Sequence, residues 1–196
     1  TACSIIGVNS FDQPDVQDAK MRTLAGLEAY RMTGSLPEVN ITARFAKAGV
    51  PGVNQDTIRG NETLISYIER MLTTYRETTK YVAINAFLPK NQNNEAVLQA
   101  FRQRIGQRFQ VATTMGFGPR YLHSTGQLHK GGPNCGFFLL ITARRQEDLA
   151  IPGQGVKFGV MQRAQAIGDL QALQAKGRRV LWIDLDEPDP AILLDE

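Results

Sequence analysis

Both histidines of the chain, His123 and His129, lie in one short segment with the sequence GPRYLHSTGQLHKGGP at residues 118–133. The unperturbed pKa of histidine lies near neutrality, so it is the usual side chain for moving protons. Glycine and proline on both flanks predict a loop-to-helix corner, where side chains project into a cleft. The segment therefore favours proton-transfer chemistry. The alternative is that either imidazole caps a helix or satisfies a hydrogen bond in the core.

A spacing of six residues does not place two imidazoles on one helical face, as a spacing of four would. A helical two-histidine zinc site is therefore not indicated. Ser124, Thr125 and Gln127 offer hydroxyl and amide groups to a polyhydroxylated ligand, although such residues also cap helices. Arg120 and Lys130 could neutralise a phosphate or lie on the surface. The segment lacks a Gly-x-Ser-x-Gly elbow, and GFGP at 116–119 is not a dinucleotide fingerprint.

Lys20 is the second candidate for chemistry. In a helix that starts at Pro14, Val16, Lys20, Leu24 and Leu27 share one stripe, so the ammonium belongs to an otherwise apolar face. Such a lysine either extends along the surface to water or points into a cleft, at an oxygen that gains negative charge.

Alternating apolar runs and helical spacing predict the elements that must position these residues. We expect an α/β fold with a mixed or mostly parallel sheet flanked by helices in three layers. Ligands in such sheets bind at the carboxyl ends of strands, here at residues 8–14 and 116–133. The predicted strands cover residues 4–8, 81–88, 111–115, 137–142 and 179–185, and the predicted helices cover 14–33, 62–76, 94–109 and 159–176.

The composition is that of a globular protein, with 42% hydrophobic and 21% charged residues. Two cysteines are too few for a disulfide framework, which favours the cytoplasm, and no segment has the length of a membrane span. Residues 184–196 carry six acidic residues, so the remaining chain has 13 acidic against 22 basic residues. A basic body attracts anions or is simply a solvated surface, and no nucleic-acid-binding motif accompanies it.

Two segments resemble the glucose-6-phosphate isomerase family. GVNSFDQPDVQDAK at residues 7–20 is similar to its C-terminal signature, whose active-site lysine falls on Lys20. YLHSTGQ at residues 121–127 is similar to the stretch that carries the catalytic histidine, which falls on His123. The chain resembles most closely the C-terminal part of transaldolase/isomerase fusions, including LHSTGQLHKGGP, the turn at 151–153 and GRRVL at 177–181.

The resemblance implies interconversion of glucose 6-phosphate and fructose 6-phosphate, without a metal or organic cofactor, in a sugar-isomerase (SIS)-like fold. We expect Lys20 and His123 to be catalytic, and the residues that contact the sugar phosphate to be Gln13, Arg120, Ser124 and Gln127. His129 is expected either to support the substrate-contacting residues from behind or to be structural. A non-catalytic sugar-phosphate-binding module of the same fold is the alternative.

Two departures from the family bear on these expectations. Ordinary isomerases carry the histidine segment before the lysine segment, whereas here Lys20 precedes His123. The stretch with the general-base glutamate and the main phosphate loops are not in this sequence. We therefore expect one domain of a longer enzyme, with the rest of the isomerase upstream and a possible homodimer. Its expected parts are a strand and lysine helix (1–34), a loop-rich connection (35–60), an α/β body (61–185) and an acidic tail (186–196).

Overall fold

The structure, a computed structural model, describes residues 2–9, 11–37, 41–45, 48–51, 62–144 and 148–194. Short 3₁₀ turns at Arg76–Thr78, Arg120–His123 and Pro190–Leu193 join the main elements. The helices are α1 (Ala2–Ile5), α2 (Pro14–Thr33), α3 (Leu64–Thr74), α4 (Gln92–Phe109), α5 (Gly126–Gly131) and α6 (Phe158–Ala175). The strands are β1 (Ile41–Phe45), β2 (Ala48–Pro51), β3 (Tyr81–Phe87), β4 (Ala112–Phe117), β5 (Gly136–Ala143) and β6 (Arg179–Leu185).

The strands form one six-stranded mixed sheet in the order β1-β2-β6-β5-β3-β4. The four strands β4, β3, β5 and β6 are parallel, and β2 and β1 extend the β6 edge in antiparallel pairing. The central strands are buried on both faces, which is why their sequences are apolar throughout rather than alternating. The predicted α/β fold with a mixed, mostly parallel sheet is confirmed.

Helices cover both faces of the sheet and give it three layers. On one face α3 and α4 pack against alternate strand residues such as Ile84 and Leu139. On the other face α6 packs against the opposite set, around the fully buried Trp182. Leu193 in the last 3₁₀ turn is also buried against the α3–α4 layer, so the C-terminal segment up to residue 194 is packed onto the body.

The predicted strand at residues 4–8 is wrong. Ala2–Ile5 is a single helical turn, and Ile5, Ile6 and Val8 are exposed. The run is short, Gly7 takes a left-handed φ of 72°, and no described strand pairs with it. Its backbone hydrogen bonds are therefore made locally, from the Ile6 and Val8 amides to the preceding turn.

Helix α2 ends as the sequence predicts, with Gly34 at φ 77° donating its amide to the Tyr30 carbonyl. It packs closely on α6 because Gly168 has no side chain. A Cβ at Gly168 would lie 2.6 Å from the Thr23 hydroxyl and 2.9 Å from the Ala19 carbonyl oxygen. This close approach sets the distance between α6 and α2, the helix that carries Lys20.

Candidate functional site

A cavity of about 280 Å³ lies between α2, the 3₁₀ turn at 120–123, α5 and α6. Its walls are mostly apolar, and its polar groups are few. The lining residues are Val16, Ala19, Lys20, Thr23, Leu24, Leu27, Leu122, His123, Lys130, Met161 and Gln165.

Lys20 lies on the side of the cavity that is formed by α2. The predicted stripe is present, since Val16, Leu24 and Leu27 line the same cavity. Val16 and Leu27 are buried and anchor the helix, whereas Lys20 itself is exposed. The lysine therefore faces the cavity from its rim and keeps access to solvent.

His123 reaches the same cavity from the turn that follows β4. That turn is anchored by Tyr121, which is buried and meets the ring of Phe87 edge-on at a centroid distance of 5.7 Å. Its hydroxyl donates to the Asp169 carboxylate at 2.6 Å. Two residues further on, His123 is exposed and lines the cavity beside Leu122. An anchored tyrosine thus positions an accessible imidazole.

A buried ion pair lies behind these two residues. Lys130 and Asp169 are each 1% exposed and in direct contact, and the Tyr121 hydroxyl donates to the same carboxylate. The low exposure and the nearby carboxylate together raise the pKa of Tyr121 well above its usual value, burial being the larger cause. Lys130 also lines the cavity, so its charge is present in the wall but is largely offset by Asp169.

Of the two roles expected for Lys130, the position on the surface is wrong, because the residue is 1% exposed. Lys130 is a buried cation with a carboxylate partner on another helix. A local signal did exist, since Asp169 interrupts an apolar stretch of α6 in which Ile167, Gly168 and Leu170 are buried. Nothing in the sequence, however, pairs that aspartate with Lys130.

His129 lies in the core rather than in the cavity. It is 3% exposed, and its ring packs 5.1 Å from Phe138, 6.0 Å from Tyr121 and 6.4 Å from Tyr81. Burial lowers its pKa to about 4, with a smaller contribution in the same direction from Lys130 and an opposing one from Asp169. His129 is therefore neutral at physiological pH and is packed as a core residue.

The residues expected to contact substrate lie around the cavity but not in its described lining. Gln13 precedes α2 without making a side-chain cap, and Arg120 is exposed. The Ser124 hydroxyl donates to the Tyr121 carbonyl at 3.2 Å. Gln127 is bound to Asp15: its amide nitrogen donates to the carboxylate at 2.7 Å, and its amide oxygen accepts the Asp15 N–H at 3.1 Å.

Asp15 holds the start of α2 in place. Besides Gln127 on α5, it pairs with Lys176 at the end of α6 at 2.7 Å. The Lys176 ammonium and the Gln127 amide lower the pKa of the Asp15 carboxyl, against the opposing effect of its burial. Three of the four elements that surround the cavity, α2, α5 and α6, are thus joined at one carboxylate.

This arrangement offers an exposed amine and an exposed imidazole, from two different elements, in the lining of one mostly apolar cavity. A lysine can stabilise an oxygen that gains charge, and an imidazole can deliver or accept a proton. No carboxylate is among the described lining residues. In the described part of the chain, no three His, Cys, Asp or Glu side chains are close enough to hold a metal ion.

Comparison with known proteins establishes the fold only. No family model and no curated protein matches the chain. Among solved structures it is similar to the crystal structure of hypothetical protein TT0462 from Thermus thermophilus, with a TM-score of 0.56 and 20% identity. The match covers 66% of this chain and 35% of that chain, so this chain spans about a third of its length. Of the helices described, none is both long and apolar enough to cross a membrane.

Proposed function

We propose that the chain is the C-terminal segment of an aldose–ketose isomerase that interconverts glucose 6-phosphate and fructose 6-phosphate, most similar to transaldolase/isomerase fusions. One observation supports the proposal above the rest. Lys20 and His123, which carry the two separate resemblances to the family, line the same cavity although they are far apart in the sequence. Two unrelated surface residues this far apart in the sequence would not be expected to line one cavity.

The chemistry starts with opening of the sugar ring. The imidazolium of His123, assisted by Lys20, protonates the ring oxygen as the ring C–O bond breaks, and the proton of the anomeric hydroxyl passes to solvent water. A carboxylate then moves a proton between C2 and C1 through an enediolate, and Lys20 stabilises the negative charge of that intermediate. The carboxylate comes from a part of the intact enzyme outside the described cavity lining, so we expect this segment alone to bind sugar phosphate weakly and not to isomerise it.

The test is a coupled dehydrogenase assay on the intact enzyme with Lys20→Met and His123→Ala. Both residues are exposed, so the variants should fold normally and lose turnover by at least about 100-fold, the usual effect of removing an acid–base or charge-stabilising group. Lys90→Met is the matched control, since Lys90 is also exposed and lies outside the cavity. Unchanged turnover in both cavity variants contradicts the proposal.

A non-catalytic sugar-phosphate-binding module is the second candidate, and it is favoured by the lack of a carboxylate in the described lining. The two candidates differ in which parameter the variants change. An enzyme loses kcat with substrate affinity partly kept, whereas a binding module shows no turnover and loses affinity. Robust isomerisation by the 196-residue chain alone would contradict the expectation that the base lies elsewhere.

A further inference from the structure

A second cavity, of about 530 Å³, lies at the carboxyl ends of β3, β5 and β6. This is the edge of an α/β sheet at which ligands usually bind, and the volume falls in the range of small-molecule sites. Neither Lys20 nor His123 lines it, so it is separate from the cavity described above. The residues that line it are Leu36, Phe87, Thr142, Ala143, Arg144, Asp148, Gly159, Val160, Gln162, Arg163 and Asp184.

A buried polar network forms the floor of this cavity. Asp184 and Thr142 are each 3% exposed and are register partners on neighbouring parallel strands. The Thr142 hydroxyl donates to the Asp184 carboxylate at 2.6 Å, and the indole N–H of Trp182 donates to the Thr142 hydroxyl at 2.6 Å. Burying a carboxylate in an apolar sheet is costly, so the position of this network at the strand ends needs a reason other than stability.

The network holds one arginine rigid. The two terminal nitrogens of Arg163 donate to the two oxygens of Asp184 at 2.8 and 3.0 Å, and its guanidinium carbon lies 5.3 Å from the centre of the Trp182 ring. A guanidinium has five N–H donors, of which Asp184 uses two. The Arg163 side chain is one-third exposed, so the remaining donors have access to the cavity. An arginine oriented in advance in this way loses little entropy when it binds an oxyanion.

A second guanidinium belongs to the same cavity. Arg144 directly follows β5, and its backbone N–H donates to the Leu185 carbonyl at 3.0 Å, which fixes the start of its side chain at the strand end. Asp148 and Gln162 line the same space. The Asp148 carboxylate accepts the Gly159 amide at 2.7 Å. This carboxylate repels a bare multivalent anion but is a good hydrogen-bond acceptor for the hydroxyl groups of a ligand.

We propose that this cavity binds a phosphate monoester of a small polyhydroxylated molecule, with the phosphate between Arg144 and Arg163 and the hydroxyl groups toward Asp148 and Gln162. Arg144 supplies a positive charge for the phosphate, and Arg163, whose charge Asp184 offsets, supplies its remaining N–H donors. The cavity is far larger than a single ion, and the acidic and amide groups provide the acceptors that hydroxyl groups need. The site is independent of the isomerase proposal and would act as a second ligand site.

The chain's single tryptophan gives a direct readout of ligand binding, because the Trp182 indole N–H is hydrogen-bonded to this network. Titration of the 196-residue chain with glycerol 3-phosphate should shift the indole N–H resonance of Trp182. Glycerol alone should not shift it, and inorganic phosphate should bind more weakly than the ester.

Two variants test the site, so that the result does not depend on the correct folding of a single variant. Arg144→Gln removes an exposed guanidinium outside the Asp184 network and should weaken binding about tenfold, the usual effect of losing one hydrogen bond to a charged group. The pair Arg163→Gln with Asp184→Asn removes both charges together, so no unpaired buried charge remains, and should abolish the shift. Lys80→Met, at an exposed lysine before the amino end of β3 and outside both cavities, should bind normally.

Three results would overturn the proposal. The first is the absence of any shift at about 10 mM ester, roughly the weakest binding that a two-arginine site should give. The second is a shift that Arg144→Gln leaves unchanged or that inorganic phosphate reproduces at equal affinity. The third is an equal loss of the shift in Lys80→Met, which would show a general effect of removing positive charge rather than a site; none of these results bears on the isomerase proposal.

Discussion

The contact between Lys130 and Asp169 gives the sharpest test of how the first cavity is held together. Both side chains are 1% exposed, so neither charge can be solvated if its partner is removed. Lys130→Met leaves Asp169 with the Tyr121 hydroxyl as its remaining hydrogen-bond donor. Removing one member of a buried pair typically costs about 3–5 kcal/mol, because an uncompensated charge stays in the core. We expect that loss in the free energy of unfolding.

Adding Asp169→Asn to Lys130→Met should restore most of this stability. The asparagine oxygen still accepts the Tyr121 hydroxyl, and no buried charge remains. The double variant should lie within about 1–2 kcal/mol of the wild type, since exchanging a buried pair for neutral groups is often close to neutral. The two substitutions therefore have a coupling energy of about 3 kcal/mol or more, far above the ~0.5 kcal/mol error of additivity.

Urea unfolding at pH 7 measures each variant. With a slope of about 2 kcal/mol/M, the single variant should lose about 1.5–2.5 M from its midpoint and the double variant less than about 1 M. Lys90→Met is the control, because the Lys90–Glu95 pair is 3.8 Å apart and half exposed and should contribute less than about 0.5 kcal/mol. Additive costs, or a loss below about 1 kcal/mol in the single variant, would refute the argument.

Three further predictions concern the elements around this pair. The pKa of His129 is about 4 in the folded protein and about 6.5 in the unfolded protein. The full contribution of the neutral ring to stability is therefore present above pH 6.5, and the free energy of unfolding should fall by about 2 kcal/mol between pH 7 and 5. His129→Leu should remove this pH dependence in unfolding titrations. Gly168→Ala should lower the free energy of unfolding by about 1–3 kcal/mol in thermal or urea unfolding, because its Cβ clashes with α2. Gly26→Ala, whose Cβ would have nothing within 4 Å, should raise it by up to about 1 kcal/mol. Equal effects of the two substitutions would contradict the packing. The lowered pKa of Asp15 means that the contribution of its pair with Lys176 is present above about pH 4 and is lost progressively in acid. Asp15→Asn should therefore cost about 1 kcal/mol at pH 7 and less as the pH falls below 4; a cost independent of pH would refute this.

Most of the fold followed from local patterns. The apolar runs at 81–88 and 179–185 correspond to β3 and β6, and the helix predicted from Pro14 to Thr33 has those bounds. Such elements are predictable because periodicity, caps and breakers act over a few residues. The run at 4–8 misled because a strand needs a partner in the sheet, and partners are not encoded in the run itself.

The candidate site was predictable only in part, for the same reason. Lys20 and His123 could be singled out from residue type, flanking sequence and family resemblance. The partners that position them could not, because Asp169, Tyr121 and Lys130 meet only after α5 and α6 have packed together. The Asp184 network was missed although a local signal existed: a threonine and an aspartate near the ends of two otherwise apolar strands.

Stability and chemistry are assigned to different residues of the first cavity. Lys20 and His123 are exposed, so their removal should leave the fold intact, whereas Lys130 and Asp169 are buried and hold the wall that His123 depends on through Tyr121. In the proposed isomerase, the net attraction of the described cavity lining for an anionic sugar phosphate comes from Lys20, because Asp169 offsets the charge of Lys130. Lys20→Met should therefore reduce the salt dependence of substrate binding as well as turnover, while Lys130→Met should act through stability. If Lys130→Met abolished binding in a variant that remained folded, the buried lysine would contact the ligand directly and this division of roles would be wrong.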